Sequence, residues 1–168
     1  MRITILGAGN IGLAAGTKWK AKGHDITFGV RDPQSQKAWN AINIGAKVTT
    51  FQESMTDAEV VLVAIPFGVA DEVLKSIDVE WDGKIIIDAT NPISVSTEPF
   101  ESAAEAISAW TGSADVVKAF NTTGVGNMTN PEYNGKAIET FICGDEVASK
   151  QTVSTLAQDL GFRVVDVG

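Results

Sequence analysis

The sequence predicts an α/β domain built on a mostly parallel sheet of about eight strands, with helices on both faces. Short β-rich runs alternate with helical patterns along the whole chain, which is the order of a β-α-β fold. Several runs, among them Ile3–Leu6 and Val60–Ile65, are almost continuously apolar, as expected for strands covered on both faces. These observations together predict one doubly wound domain over residues 1–168.

Turn and capping residues bound the predicted elements. The predicted strands are Arg2–Leu6, Asp25–Val30, Ala46–Thr50, Val60–Ile65, Lys84–Ala89, Val116–Phe120, Ala137–Cys143 and Phe162–Val167. The predicted helices are Asn10–Lys22, Pro33–Asn43, Val69–Ile77, Glu98–Trp110 and Glu146–Leu160. Pro33 suits a first helical turn, and Asp145 is a candidate N-cap. Strand Ala137–Cys143 follows a connection without a clear helix, so it is a candidate for antiparallel pairing.

Composition and charge exclude several classes of function. Thirteen Lys and Arg against 21 Asp and Glu give a net charge of −8, which disfavours nucleic acid and anionic membrane as partners. One cysteine and one histidine leave no material for a disulfide, a multi-cysteine zinc site or a haem centre, so no metal site is expected. The longest apolar stretch, Val60–Ala70, is interrupted by Pro66 and is too short to span a bilayer. A cytoplasmic location is the resulting expectation.

A glycine-rich segment, Gly7-Ala8-Gly9-Asn10-Ile11-Gly12, follows the first strand and opens the first helix. In a G-x-G-x-x-G turn, the first glycine allows the tight turn and the second lets a pyrophosphate approach the backbone. The third permits close helix–strand packing. Asn10 and Ile11 stand where the free N–H groups of a helix N-terminus would meet the phosphates. Because strand, motif, helix and second strand all occur in order, the segment predicts a dinucleotide site. The alternative is a turn that merely needs glycines.

The end of the second strand favours NADP(H) over NAD(H). An NAD site normally carries an acidic residue there, but Val30 occupies that position and Arg31 follows it. A guanidinium suits a 2′-phosphate. Asp32 is the rival acid, although it precedes a proline and is better placed to cap the next helix. Ser35 and Lys37 are further candidate phosphate contacts, with a solvated helix face as the alternative for both. The alternative for Arg31 is a surface ion pair with Asp32 or with a neighbouring helix.

Three later turns are expected to line the same crevice, because ligands of doubly wound sheets lie at the carboxyl ends of the strands. The turn after the fourth strand contains Pro66, and the turn after the fifth contains Asp88 and Asn91. Asn121 and Thr122 follow the sixth strand and are candidates for hydrogen bonds to a nicotinamide carboxamide or a polar group of the substrate. Ordinary turn or loop capping is the alternative for each. Asp88 is a poor candidate base, since an anchor for its own turn is the simpler interpretation.

No convincing catalytic acid or base is found. His24, the single histidine, is expected in a turn at the edge opposite the crevice. Tyr133 and Lys136 are three residues apart and enclose Asn-Gly, a turn signal, so they do not form the helical Tyr-x-x-x-Lys pair. Cys143 is expected to be inert core. The sequence therefore assigns no catalytic side chain.

The segments RITILGAGNIG, GHDITFGVRD, VLVAIPFGV, IIIDATNP, VVKAFNT and FICGD resemble the NADP-dependent coenzyme F420 oxidoreductase family. The same unit is similar to the cytoplasmic domain of six-transmembrane metalloreductases. The resemblance implies that Gly7–Gly12, Arg31, and Ile65 with Pro66 bind NADP. It also implies that Phe120, Asn121 and Thr122 flank the nicotinamide. Family members usually continue into helices that complete a homodimer and the acceptor site, and these 168 residues end before that part.

The function expected from residues and resemblance together is hydride transfer between NADPH and a small-molecule acceptor, coenzyme F420 or a flavin. Such a reaction depends on positioning and needs no catalytic histidine, tyrosine or lysine. Two alternatives stay open. One is a non-catalytic NADP(H)-binding module, and the other is an NADPH-dependent imine, carbonyl or metal reductase.

Overall fold

A computed structural model describes all residues, 1–168, as ten strands and seven helices. The strands are β1 (Arg2–Leu6), β2 (Asp25–Val30), β3 (Lys47–Thr50), β4 (Val60–Val63), β5 (Ile85–Asp88), β6 (Val116–Ala119), β7 (Glu132–Tyr133), β8 (Lys136–Ala137), β9 (Glu139–Cys143) and β10 (Arg163–Asp166). The helices are α1 (Asn10–Ala21), α2 (Gln36–Asn43), α3 (Phe51–Ser54), α4 (Phe67–Ser76), α5 (Ala103–Thr111), α6 (Val125–Thr129) and α7 (Val147–Asp159).

Eight strands form one sheet in the order β10-β9-β6-β5-β4-β1-β2-β3. Every neighbouring pair is parallel except β6 and β9. The predicted Rossmann-like, mostly parallel sheet is thus confirmed, as is the antiparallel neighbour. The strand order reverses between β1 and β4, and in such sheets this switch point opens a crevice at the carboxyl ends of the strands.

Helices cover both faces of the sheet, and the apolar strands pack between them. One buried cluster of 25 residues includes side chains from α1, α2 and α7, and a second of 13 lies on the side of α3 and α4. Trp19 of α1 is fully buried, and its Nε1 donates to the Leu156 carbonyl oxygen at 2.8 Å. Burying an indole of roughly 200 Å² stabilises the fold by about 5 kcal/mol. The core is therefore anchored across α1 and α7.

The tryptophans do not form an apolar surface. Trp19 and Trp81 are buried, and Trp110 packs on Phe67 with ring centroids 5.4 Å apart. Trp39 alone is exposed, at 55%. The four tryptophans therefore give no support to an interface between copies of the chain.

Several predicted boundaries are wrong for local reasons. Helix α2 begins at Gln36 rather than Pro33, because Asp32 closes a turn and Ser35 is the N-cap that accepts from the Ala38 N–H. Helix α5 begins at Ala103 behind the N-cap Ser102.

Further differences lie toward the carboxyl end and in short elements. Helix α7 has Glu146 as its N-cap, without a side-chain hydrogen bond, instead of Asp145. The short helices α3 and α6 and the hairpin β7–β8 are absent from the prediction.

Candidate dinucleotide site

The glycine segment forms the tight connection between β1 and α1. Gly7 has φ +104°, and a Cβ there would lie 2.7 Å from the Ala64 carbonyl oxygen. A Cβ on Gly12 would lie 2.2 Å from the Gly7 carbonyl oxygen. Contacts this close require glycine whether or not a ligand is bound. The first and third glycines are therefore requirements of the fold.

Gly9 differs from its two neighbours, since a Cβ at this position would meet no atom of the chain within 4 Å. Gly9 is also the N-cap of α1, no side chain caps this helix, and no acidic residue stands in its first turn. The first N–H groups of a helix need acceptors, and an anion is a suitable one. The space above Gly9 thus lies beside a helix start with no side-chain acceptor of its own.

A crevice of about 400 Å³ opens from this loop toward the ends of β2 and β4. That volume lies within the range of small-molecule sites. The side chains and backbone around it come from the glycine loop, the β2–α2 turn, the start of α3 and the first turns of α4. The lining residues are Gly7, Ala8, Gly9, Val30, Arg31, Asp32, Ser35, Lys37, Phe51, Ala64, Ile65, Pro66, Val69 and Val73.

Arg31 is the arginine of this crevice, and it is unpaired. Of the three arginines, Arg2 pairs with Glu59 and Arg163 pairs with Glu139, whereas Arg31 has no ion pair. Asp32 instead accepts from the Gln34 N–H at 2.9 Å, so its carboxylate is occupied in the turn. The ion pair with Asp32 considered as an alternative is absent. Arg31 is exposed and free to meet an anion in the crevice.

Ile65 and Pro66 form the opposite wall. Strand β4 ends at Val63, and Pro66 is the N-cap of α4 with φ −59°. The Val69 N–H donates to the Pro66 carbonyl oxygen at 3.1 Å, which closes the turn against the crevice. Proline is tolerated here because it stands at the helix start. This wall is apolar, and the strand before it, β4, lies on the opposite side of β1 from β2, which precedes Arg31.

The remaining candidates lie outside this crevice. The structure brings Gly7, Gly9, Arg31, Ile65 and Pro66 together, whereas Asn91 and the segment 120–122 do not line it. Asn10 follows the lining residue Gly9 and itself lines a different, apolar cleft between α1 and α6, with Leu13 and Val125. Ile11 and Gly12 lie in the first turn of α1. The sequence-predicted residues thus divide into one assembled group and a more distant one.

Phe120 is the turning point after β6. Its backbone has φ +67°, an uncommon conformation for a residue other than glycine, and its side chain is 1% exposed. The ring packs against Trp19 and Phe162, at centroid distances of 6.2 and 6.4 Å. The Phe120 side chain therefore belongs to the core, and only its backbone is available beside Asn121 and Thr122. Thr122 is exposed and Asn121 half-buried.

A buried ion pair at the ends of β5 and β6 went unnoticed in the sequence. Lys118 Nζ lies 2.9 Å from Asp88 Oδ2 and also donates to the Thr90 carbonyl oxygen at 2.5 Å. Asp88 is fully buried, and its Oδ1 accepts from the Thr90 N–H at 2.8 Å. Asp88 does anchor its own turn, as the simpler interpretation held. A lysine inside an otherwise apolar strand (VVKA) was the signal that could have revealed its partner.

The titratable residues set aside in the sequence lie away from the crevice. His24 Nε2 is 3.0 Å from Asp159 Oδ2, and its Nδ1 is 3.4 Å from the N-terminal nitrogen. Tyr133 and Lys136 are opposite each other in the β7–β8 hairpin, not on a helix. Cys143 is half-buried at the end of β9, so the expectation of a core position is wrong. No group of three His, Cys, Asp or Glu is arranged to hold a metal ion, and none of the helices has the length and apolar character needed to cross a bilayer.

Comparison with known proteins gives consistent matches. A family model described as NADP oxidoreductase, coenzyme F420-dependent, matches residues 2–92. The metalloreductase STEAP3 of Rattus norvegicus is 29% identical over 168 residues, covering 99% of this chain and 34% of its own length. The chain spans about a third of the length of the curated relatives it matches.

Solved structures resemble the whole chain. A protein of Arthrobacter sp. FB24, proposed to be an F420-dependent NADP reductase, superposes with a TM-score of 0.88 at 28% identity, covering 100% of this chain and 85% of its own. The hypothetical protein SMa0349 of Sinorhizobium meliloti gives a TM-score of 0.86 at 24% identity, with 99% and 84% covered, and shares the fold.

Proposed function

The chain belongs to the family of NADP oxidoreductases described as coenzyme F420-dependent, and we propose that it transfers hydride between NADPH and a deazaflavin or flavin-type acceptor. Coenzyme F420 is the first acceptor to test, because both the family and the Arthrobacter structure carry it in their descriptions. The site residues below are part of this proposal.

The unpaired Arg31 is the observation that carries the choice of NADP. A charged group without a partner, at the rim of a crevice that also contains Lys37, favours an anionic ligand. Val30 stands where an acidic residue would repel a 2′-phosphate, and its side chain is 6% exposed. The repulsive element is missing and the attractive one is present, so the difference in affinity favours NADP over NAD.

The glycine loop fits the pyrophosphate. The empty space above Gly9 and the uncapped start of α1 lie together, and N–H groups at a helix start donate to phosphate oxygens. Ile65 and Pro66 offer an apolar wall for the adenosine half. Asn91, Asn121 and Thr122 offer amide and hydroxyl groups, and Phe120 a carbonyl oxygen, toward the nicotinamide half.

The residues of the chain act by binding and orientation. When bound, the nicotinamide supplies the hydride. Asp88 is buried and held by Lys118 and the Thr90 N–H, so its oxygens are engaged within the chain. Hydride transfer to a deazaflavin or flavin ring fits a site of this kind, where positioning contributes most of the rate.

A second candidate follows from the STEAP3 match, which spans 99% of this chain. In it, the chain uses NADPH to reduce a metal-ion substrate. Oxidation of NADPH measured separately with coenzyme F420, FMN, ferric chelate and a cyclic imine separates the candidates. Consumption with coenzyme F420 or FMN supports the first proposal, consumption with ferric chelate alone supports the second, and consumption with the imine alone supports an imine reductase. Consumption with none of them favours the non-catalytic binding module.

Calorimetric titration of the wild type and Arg31→Ala with NADPH and NADH tests the cofactor assignment. A charge-assisted contact contributes about 1.5–3 kcal/mol, so Arg31→Ala should weaken NADPH by about 10- to 150-fold and leave NADH almost unchanged. Arg163→Ala, which removes an arginine of the sheet-edge strand β10, is the matched control and should change neither. An equal loss for both cofactors would defeat the phosphate assignment.

Association into a homodimer, which the family resemblance implies, and a cytoplasmic location, which is the expectation from the sequence, also belong to the proposal. Light scattering at tens of micromolar tests the former. A monomer under those conditions would remove the dimer from the proposal.

A further inference from the structure

We propose that Lys118 is a positioning residue for the nicotinamide carboxamide: it clamps the β5–α5 loop so that the free amide of Asn91 stands at the nicotinamide end of the site. This inference rests on the proposed function. It adds a role for a residue that does not line the 400 Å³ crevice.

The contacts make Lys118 the link between two loops. Asp88 and Lys118 are direct neighbours in the β5–β6 register. From this place Lys118 Nζ reaches Asp88 Oδ2 at 2.9 Å and the Thr90 carbonyl oxygen at 2.5 Å. Asn91 follows Thr90, and the Phe120 turn follows two residues after Lys118. One ammonium group therefore fixes the start of the β5 loop relative to the end of β6.

The burial of the Lys118–Asp88 ion pair suggests that the pair fixes a loop geometry rather than adding stability to the fold. Asp88 is fully buried and the Lys118 side chain is 17% exposed. A buried ion pair replaced by apolar side chains is often neutral for stability, so such a pair is better explained by what it holds in place. Here it holds the backbone of Thr90 through both the N–H and the carbonyl.

The side chain of Thr90 does not stabilise the loop conformation in which it is held. The residue is 2% exposed, and its Oγ1 has no hydrogen-bond partner. An unpaired buried hydroxyl opposes this arrangement. The loop conformation is therefore maintained by Lys118 and Asp88, not by the side chain of Thr90. Unfavourable local features held by their surroundings cluster at binding sites, and Phe120 with φ +67° is a second one at the same end of the sheet.

Asn91 is the residue whose side chain the Lys118–Asp88 pair would orient toward the cofactor. Its side chain is exposed and makes no hydrogen bond within the chain, and its carbonyl oxygen accepts from the Ile93 N–H at 2.8 Å. An amide side chain offers both a donor and an acceptor, which matches a carboxamide. Fixing the backbone on either side orients this amide before the cofactor arrives, which lowers the cost of ordering it on binding.

The test compares NADPH with 2′,5′-ADP, which lacks the nicotinamide. The variant Lys118→Met with Asp88→Asn removes both charges and avoids an unpaired buried carboxylate. We expect it to bind 2′,5′-ADP like the wild type and NADPH about tenfold more weakly, the loss expected for one well-made hydrogen bond. The enhancement of nicotinamide fluorescence on binding should fall in parallel.

Two further variants show whether the effect passes through Asn91. Asn91→Ala alone should lower the affinity for NADPH by a similar factor. Adding Lys118→Met and Asp88→Asn to Asn91→Ala should lower the affinity no further, since all these changes act on one contact. Lys84→Met is the matched control, because Lys84 Nζ also donates to a loop carbonyl, that of Ala58 at 3.0 Å, beside the amino end of β5. It should change neither ligand.

Hydrogen exchange of residues 89–97 supplies a readout independent of affinity. In the wild type, NADPH should protect this segment and 2′,5′-ADP should not. In the charge-free variant, exchange should be faster and NADPH protection lost. If that variant does not fold, exchange in the wild type and in Lys118→Arg decides the question.

The role of Lys118 would be overturned if the charge-free variant lost affinity equally for both ligands, or if it folded and lost no affinity for NADPH. It would also be overturned if NADPH did not protect residues 89–97 from exchange in the wild type. A wild type that binds neither ligand would instead overturn the proposed function.

Discussion

The two ends of the candidate site are built in different ways. The end that we propose for adenosine, residues 7–12, 31–37 and 65–73, is a formed crevice whose properties come from glycines, one unpaired arginine and a proline turn. The end that we propose for nicotinamide, residues 88–91 and 118–122, depends on a buried ion pair and a core-anchored phenylalanine. Local backbone requirements shape the first end, and contacts between distant residues shape the second.

The difference teaches where each end is vulnerable. At the adenosine end a single substitution acts directly on the ligand or directly on the turn. At the nicotinamide end the groups facing the ligand are held from behind, so substitutions of residues that never touch the cofactor should change binding.

Gly12→Ala should lower the stability of the fold more than the other substitutions do, because the new Cβ would lie 2.2 Å from the Gly7 carbonyl oxygen and the backbone must move. We expect a loss of about 3 kcal/mol in the free energy of unfolding. For a chain of this size that lowers the melting temperature by roughly 6–12 °C. Thermal unfolding followed by circular dichroism measures it. An unchanged melting temperature would show that the loop adjusts and that Gly12 is not required by the fold.

Val30→Asp with Arg31→Ala should invert the cofactor preference. The pair removes the attraction to the 2′-phosphate and adds a carboxylate that can accept from a ribose 2′-OH. The ratio of NADPH to NADH affinity should fall by about two orders of magnitude or more. Calorimetry with both cofactors gives the ratio, and circular dichroism checks that Asp at the buried position 30 leaves the fold intact. Retained NADPH preference in a folded variant would move the phosphate site elsewhere.

Gly9→Ala should separate binding from folding within the same loop. Its Cβ meets no atom of the chain, so the melting temperature should hold or rise slightly. The methyl group would occupy the space assigned to the pyrophosphate, and NADPH affinity should fall by at least about tenfold. Gly12→Ala serves as the comparison, since it should lose stability first. If NADPH binds Gly9→Ala as tightly as the wild type, the pyrophosphate does not lie over this residue.

Three single substitutions should have the smallest effect. His24→Ala, Tyr133→Phe and Cys143→Ser all lie away from both ends of the site, and each should keep near-native turnover with the correct acceptor. A general acid or base contributes about 10²- to 10⁴-fold, so the contrast is large. Steady-state NADPH oxidation measures it. A hundredfold fall in a stably folded variant would reveal a proton transfer that neither end accounts for.

The predicted start of α2 is wrong because a side-chain N-cap, and not the proline, sets the first residue of the helix. Pro33 predicts a helix start, yet the Asp32 turn and the Ser35 cap satisfy the backbone three residues later. The short helix α3 is set by a capping box of Thr50 and Glu53, a signal present in the sequence but too brief to stand out. Such local errors leave the crevice in place, since Gly7, Arg31 and Pro66 follow the ends of strands that the sequence predicts, although Phe51 of the unpredicted α3 also lines it.

The sequence by itself determined the parallel sheet, the glycine turn and the placement of Arg31 and Pro66 at strand ends. These depend on hydrophobic periodicity and on backbone needs that neighbouring residues express. The tertiary structure alone decided that Arg31 is unpaired, that the Phe120 ring turns into the core, and that Lys118 meets Asp88 thirty residues away. The physical reason is that pairing and burial depend on which strands become neighbours, and the spacing of residues along the chain does not contain that information.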